Sequence, residues 1–203
     1  MRATRFILVI GAVPGVLCAQ APKQAGAGAA ADVPPPAQQI SAAVLALPNE
    51  YREGAKVLGY RAGTKGFVTL REGTGPFTCL ANDPAGKMFH VACYHQTLEP
   101  FMARGRELRA SGTPDNRVDT VRFAEVKSGK LQMPKQPASM YQLFGGTVDP
   151  ATGIAKDAKP LFVIYITGAT GATTGLSEKP SEGTPWIMYP GTPKAHIMLT
   201  PKM

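Results

Sequence analysis

Between Ala55 and Cys93, apolar residues come in short alternating runs separated by glycines and an Asn-Asp-Pro turn, and this pattern limits what the chain can fold into. Alternation of apolar and polar residues over such short runs predicts half-buried β-strands. We expect four of them, over residues 55–60, 66–71, 77–80 and 88–93. Because the intervening turns are short, the pattern predicts an antiparallel meander.

Helical spacing marks three other segments. A short helix is expected from Ile40 to Leu47, ending at Pro48, and a longer one over residues 97–110, where Pro100 fits only the first turn. A third is predicted after Thr113, which can cap it, with Pro114 at its first position and a stop at Gly129.

Strand patterns then return over residues 139–144, 161–167, 186–189 and 196–200, and residues 149–153 have the composition of a hairpin tip. The run 161–166 is apolar enough for a central strand. Strands, then helices, then strands predict an α+β fold: a single domain with a mostly antiparallel sheet and two or three helices packed on it.

The N-terminus has the pattern of a secretory signal peptide. Arg2 and Arg5 precede an apolar run over residues 6–17, which is shorter than the about 20 residues of a membrane-crossing helix. We expect a signal peptide over residues 1–19, with cleavage after Ala19 or Ala21. The predicted location is secreted or periplasmic, with no transmembrane span once the leader is removed.

Residues 20–39 are almost wholly Ala, Gly, Pro and Gln. Such a segment lacks the apolar side chains that offset the entropy of ordering, so we interpret it as a disordered linker. The predicted globular domain covers residues 40–203, a length suited to one hydrophobic core.

The chain has three cysteines. Cys18 would leave with the leader, and Leu17 before it disfavours a lipidated N-terminus, for which a small residue is needed. Cys79 and Cys93 remain and are predicted to form a disulfide in an oxidising compartment, stabilising the fold by about 3 kcal/mol.

The stretch from Leu70 to Thr74 with Phe77-Thr78-Cys79, and the stretch from Gly191 to Met198, resemble an uncharacterised family of small exported bacterial proteins. The resemblance implies export and a single domain, and it implies nothing about catalysis. Members of that family often carry a histidine after the proline corresponding to Pro160, where this sequence has Leu161.

A Gly/Thr-rich stretch over residues 167–175 follows an apolar strand, as does the phosphate-binding turn of short-chain dehydrogenases. Pro180, Gly183 and Pro185 interrupt the helix that such a turn must open, and too little chain follows for further βαβ units. We therefore expect a plain loop and no nicotinamide cofactor.

Metal-binding or acid-base chemistry has four candidates close together, His90, Cys93, His95 and Glu99, with His196 further along. If residues 88–93 form a strand, His90 faces away from Cys93. A disulfide would also consume both sulfurs, so His90 and His95 are weak metal candidates, and His95, Glu99 and His196 are weak catalytic candidates.

Two functional hypotheses follow. The first is an exported, non-enzymatic binding or envelope-associated protein, without a cofactor, whose partner is a small ligand or an anionic envelope polymer. The expectation of an anionic partner rests on the net charge of +8 and on five arginines in the predicted helices: Arg104, Arg106, Arg109, Arg117 and Arg122.

The second hypothesis is a hydrolase or metal-dependent enzyme that uses His95, Glu99 and His196. The chain has no G-x-S-x-G, S-x-x-K or H-E-x-x-H sequence, which weakens this alternative. The two hypotheses differ in one structural expectation, because the enzyme needs His95 and His196 to converge on one pocket.

Overall fold

A computed structural model describes residues 33–201 of the protein. Helix α1 (Pro36–Ala43) continues into a 3₁₀ turn (Val44–Ala46), and the single-turn helix α2 (Asn49–Arg52) follows. The predicted short helix is therefore present, but it begins four residues before the predicted domain boundary. Gln39, assigned to the linker from sequence, is 5% exposed and exchanges hydrogen bonds of 2.8 and 2.9 Å with the backbone of Tyr60.

Eight strands form the main sheet, and two short ones form a separate hairpin. The main-sheet strands are β1 (Lys56–Gly59), β2 (Val68–Arg71), β3 (Phe77–Leu80), β4 (His90–His95), β5 (Ala138–Phe144), β8 (Lys159–Tyr165), β9 (Trp186–Met188) and β10 (His196–Leu199). The hairpin strands are β6 (Thr147–Val148) and β7 (Ala155–Lys156), on either side of the predicted tip at residues 149–153.

The sheet order is β2-β1-β3-β4-β5-β8-β10-β9, and its pairs are antiparallel except one. The meander predicted for residues 55–93 is wrong at this exception: β1 and β3 pair in parallel, with Val57 opposite Cys79. The reason is that β2 pairs antiparallel with the outer edge of β1. The chain then crosses to the other edge of β1, where β3 runs in the same direction as β1. The α+β fold class is confirmed.

The two faces of the sheet have different coverings. We call the side carrying Cys79, Cys93 and Tyr141 the α1 face, because α1 and the 3₁₀ turn pack against these residues. The opposite side carries Tyr94, Met140 and Val163, which pack with residues at and after the end of β4 such as Leu98 and Met102. We call it the α3 face.

Helix α3 (Glu99–Ala110) and helix α4 (Asp115–Lys127) occupy the excursion between β4 and β5. Pro100 lies in the first turn of α3, as predicted. The predicted cap of α4 is wrong by one residue, because Pro114 is the N-cap and the helix begins at Asp115. The backbone N–H of Thr113 instead donates to Leu108 at the end of α3, over 2.9 Å.

Cys79 and Cys93 lie directly opposite each other on β3 and β4, with Cα atoms 3.9 Å apart and sulfurs 2.04 Å apart. The predicted disulfide is confirmed. Both residues are fully buried in the core between α1 and the sheet. The bridge therefore joins neighbouring strands at the centre of this core.

Within residues 33–201, no helix combines the length and the hydropathy that crossing a bilayer requires. The predicted signal peptide, its cleavage sites, and most of the predicted linker lie outside the described residues.

Candidate functional site

A cleft of about 360 Å³ lies where β4 ends and β5 begins. Five polar side chains line it, together with two prolines and an alanine; the polar ones are His95, Thr97, Lys135, Gln136 and Ser139. The cleft brings together residues about forty positions apart, because α3 and α4 are inserted between two strands that pair directly.

His95 is held by the turn that follows it. The 3₁₀ turn Gln96–Leu98 begins directly after β4, and the Nδ1 atom of His95 accepts a hydrogen bond from the backbone N–H of Thr97 over 3.3 Å. The same Nδ1 lies 2.9 Å from the Thr97 hydroxyl. Because a backbone N–H can only donate, the neutral His95 ring carries its proton on Nε2, which is a free donor.

The ring of His95 is also fixed by packing. It lies on the α1 face, where it meets the ring of Phe77 edge-on at 5.7 Å between centroids. Phe77 is 4% exposed and belongs to the buried core. Phe77 thus packs against one side of the imidazole, and another side of the imidazole borders the cleft.

The opposite wall is the segment from Pro134 to Pro137, which leads into β5 at Ala138. Proline fixes φ near −65°, so the two prolines restrict the backbone around Lys135 and Gln136. Lys135 is exposed, and Ser139 on β5 is half-buried. A lysine, a histidine and three further polar residues therefore border one space.

The lining of this cleft contains no Asp or Glu among the described residues. The nearest acid in the sequence, Glu99, is turned elsewhere: its carboxylate accepts hydrogen bonds from the Tyr94 hydroxyl (2.5 Å) and from Arg106 (2.6 Å). Burial, together with the Glu99 carboxylate, raises the pKa of the Tyr94 phenol, against the opposing charge of Arg106. Glu99 thus binds Tyr94 on the α3 face and Arg106, and it does not line the cleft with His95.

His196 does not join His95 either. It is 5% exposed, it pairs with Tyr165 on the α3 face, and its Nδ1 donates to the carbonyl oxygen of Lys194 over 2.7 Å. Three strand spacings of about 4.8 Å place the strands of His95 and His196 roughly 14 Å apart, and the pairing register places the two side chains on opposite faces of the sheet. The convergence that the enzyme hypothesis needs is absent.

The surroundings of His196 are aromatic. The rings of Tyr165 and Tyr189 lie 4.9 and 5.7 Å from the imidazole. Burial lowers the pKa of His196; the hydrogen bond to the Lys194 carbonyl opposes this shift, and the charge of Lys194 adds to it. The ring is therefore a packed, neutral core group.

The structure does not bring the two metal candidates, His90 and His95, together. His90 lies on the α3 face and His95 on the α1 face of β4, and the disulfide occupies both sulfurs. Among residues 33–201, no three His, Cys, Asp or Glu side chains come together as metal ligands. His90 instead pairs with the Gln142 amide oxygen at 2.6 Å and borders a smaller cavity of about 170 Å³ with Tyr60 and Asp83.

The Gly/Thr stretch forms a single helical turn, α5 (Gly171–Thr174), which ends at Gly175 in the left-handed conformation. Thr170 caps it with its own side chain, and the N–H of Gly171 donates to the Glu178 carboxylate over 2.7 Å. A carboxylate of the same chain therefore takes the position where a dinucleotide would place its phosphate.

The helical arginines form internal ion pairs and do not form an open basic face. Arg104 binds Glu125 at 2.7 Å, Arg106 binds Glu99 at 2.6 Å and Arg109 binds Asp115 at 2.8 Å. Arg122 is buried, lies 3.8 Å above the ring of Phe101 and binds Asp119. Of the predicted patch, only Arg117 has no acidic partner in the described part of the chain.

No protein-family model, curated protein or solved structure matches the chain. The family resemblance of residues 70–79 and 191–198 stays a prediction. Sequence reasoning singled out His95 but missed Thr97, Lys135 and Ser139. A Pro-Lys-Gln-Pro segment entering a strand was the available signal, because two prolines around a lysine indicate a rigid, exposed turn.

Proposed function

We propose that this protein is a non-enzymatic binding module, exported through its N-terminal leader, whose cleft at His95 takes a small ligand carrying a carboxylate or phosphate group. The observation that supports it most is the lining of the cleft: one ammonium, one imidazole, the Ser139 hydroxyl and the Gln136 amide, with no carboxylate among them. Oxyanions accept hydrogen bonds from such donors and are repelled by carboxylates.

The state of His95 favours binding over acid-base catalysis. Its Nδ1 accepts from Thr97, and the cleft lining has no Asp or Glu to stabilise an imidazolium, as a catalytic dyad or triad would provide. Because Nδ1 accepts from Thr97, His95 offers an N–H donor through Nε2, and Lys135 offers a full positive charge. Together they suit an anion that is held and released unchanged.

Export is supported by the confirmed disulfide, since such bridges persist in oxidising compartments. It is tested by expressing the full-length chain in a bacterial host and measuring the mass of the protein recovered from the periplasm or medium. A mass that corresponds to cleavage after Ala19 or Ala21, with both remaining sulfurs oxidised, is expected. Intact protein with free thiols in the cytosol contradicts export.

Binding is tested by NMR titration of the purified protein with acetate and with inorganic phosphate, using glycerol as an uncharged comparison. We expect chemical-shift changes at His95, Thr97 and Ser139 that weaken as ionic strength rises. The variant Lys135→Ala is expected to bind five- to tenfold more weakly, which corresponds to about 1–1.4 kcal/mol for a charge-assisted hydrogen bond at a half-open site.

The matched control is Lys65→Ala, which removes the same charge from an exposed loop outside the cleft. It is expected to leave the affinity for both anions unchanged. Equal weakening by Lys65→Ala and Lys135→Ala would show a general effect of net charge and would refute a specific site.

A further inference from the structure

The sheet carries an exposed apolar surface beside the cleft. Ile164 is 43% exposed although its strand, β8, has neighbours on both sides. Leu199 on β10 is 37% exposed, and Phe162 and Ile197 are half-buried. These four residues lie on the α1 face, and we call them the apolar strip: Phe162, Ile164, Ile197 and Leu199.

The strip is continuous with the cleft. Ser139, which lines the cleft, pairs directly with Ile164, and Ile164 pairs with Ile197. Side chains of directly paired residues are about 5 Å apart on the same face of an antiparallel sheet. In the next row Tyr141, Phe162 and Leu199 pair in the same way. An apolar surface thus begins at the wall of the cleft and runs across two strands.

The covering of the α1 face stops short of the strip. Helix α1 and the 3₁₀ turn pack against β1, β2, β4 and β5. Single exposed apolar side chains are ordinary, but a contiguous apolar patch marks a binding surface.

We propose that the ligand of the cleft is an amphiphile whose carboxylate or phosphate group binds at His95 and Lys135 and whose unbranched apolar chain lies on the apolar strip. This inference rests on the proposed function of the cleft. The strip is two strands wide, about 10 Å, which fits one chain and is too small for a bilayer or a stable protein interface.

The test compares ligands that differ only in chain length. The purified protein is titrated by NMR or calorimetry with acetate, butanoate, hexanoate and octanoate, and with methyl, butyl and hexyl phosphate, all below their micellar concentrations. We expect each added methylene to lower the dissociation constant about two- to fourfold, the upper value corresponding to about 0.8 kcal/mol for a fully buried methylene. The series with the lower constants identifies the head group.

Variants separate the strip from the cleft. Ile164→Thr keeps a β-branched side chain on an exposed position, so the strand is expected to persist and only the dependence on chain length to flatten. Leu199→Thr serves as a second variant of the same kind. Val148→Thr, at a residue that is 38% exposed on the separate hairpin, is the matched control and is expected to change nothing.

The outcomes distinguish this inference from the proposed function. If acetate and octanoate bind equally well and both depend on Lys135, the cleft binds anions and the apolar strip does not take part. If no member of either series depends on Lys135, both proposals are wrong. Two other results would also overturn the strip as a ligand surface. One is that the affinity of Ile164→Thr and Leu199→Thr still depends on chain length. The other is that the wild-type protein is a dimer and that Ile164→Thr dissociates it.

Discussion

Replacing Asp119 by Asn is expected to destabilise the fold by about 2–3 kcal/mol, because it leaves a buried cation without its partner. Asp119 binds Lys194 at 2.9 Å and also pairs with Arg122, whose side chain is 5% exposed. Breaking a fully buried ion pair costs about 3–5 kcal/mol, and we discount this value because the Asp119 side chain keeps 31% of its exposure. For a domain of this size the melting temperature falls by about 4–12 °C.

The control for this variant is Asp115→Asn, in the same helix. Asp115 pairs with Arg109 at 2.8 Å, but the two side chains are 83% and 54% exposed. An exposed pair in the first turn of a helix contributes less than about 1 kcal/mol. Urea unfolding followed by circular dichroism compares the two variants at pH 7. If Asp119→Asn lowers the free energy of unfolding no more than Asp115→Asn does, the burial of the ion pair is not what makes it stabilising.

The same comparison across pH gives a second check. Burial acts to raise the pKa of Asp119, but hydrogen bonds from Lys194 and Arg122 and their positive charges more than offset it, so the pKa lies below its ordinary value. A depressed carboxyl pKa contributes stability that is complete above the unfolded value of about 3.9 and is lost as pH falls through the folded value. The stability gap between wild type and Asp119→Asn should therefore close below about pH 4. A gap that is constant down to pH 2 contradicts the assignment.

Two further predictions concern the cores on the two faces. The double variant Cys79→Ala/Cys93→Ala removes a bridge spanning 14 residues of sequence and is expected to cost about 3 kcal/mol in urea unfolding; a wild-type midpoint would show that the bridge contributes little. Since burial lowers the pKa of His196, its NMR titration midpoint should lie below the ordinary value of about 6.5. As the pH drops through about 6.5, the unfolded chain takes up the proton before the folded protein does. The free energy of unfolding should therefore decrease over this range. A midpoint at or above 6.5 would contradict the buried, neutral ring.

Local patterns in the sequence predicted the strands of the main sheet and the helices α3 and α4, because alternation and helical spacing report which side of an element is buried. They do not report which strands are neighbours. The parallel pairing of β1 with β3 depends on where β2 finds an edge, which is a property of the whole sheet. The start of α1 was missed for another reason: Gln39 is polar in sequence, and its burial is explained by its hydrogen bonds to the backbone of Pro34 and Tyr60.

The candidate site was only partly predictable. His95 could be noticed because histidine is rare in this chain, which has three. Its neighbours Lys135 and Ser139 carry no periodic signal, and they approach it only because β5 pairs with β4 after two intervening helices. His196 was named as a catalytic candidate because histidine suits acid-base chemistry, but it lies on the other face of the sheet from the cleft.

Strand β8 shows what an apolar run can and cannot indicate. Its sequence is apolar at successive positions, which is typical of a strand buried on both faces. The α3 face meets this expectation, since Val163 and Tyr165 are buried, yet Ile164 on the other face is 43% exposed. The run therefore matches a strand covered on both faces, whereas helix α1 and the 3₁₀ turn leave Ile164 exposed on the α1 face. In our proposal the apolar chain of an amphiphile covers Ile164, and its anionic head group binds in the adjoining cleft.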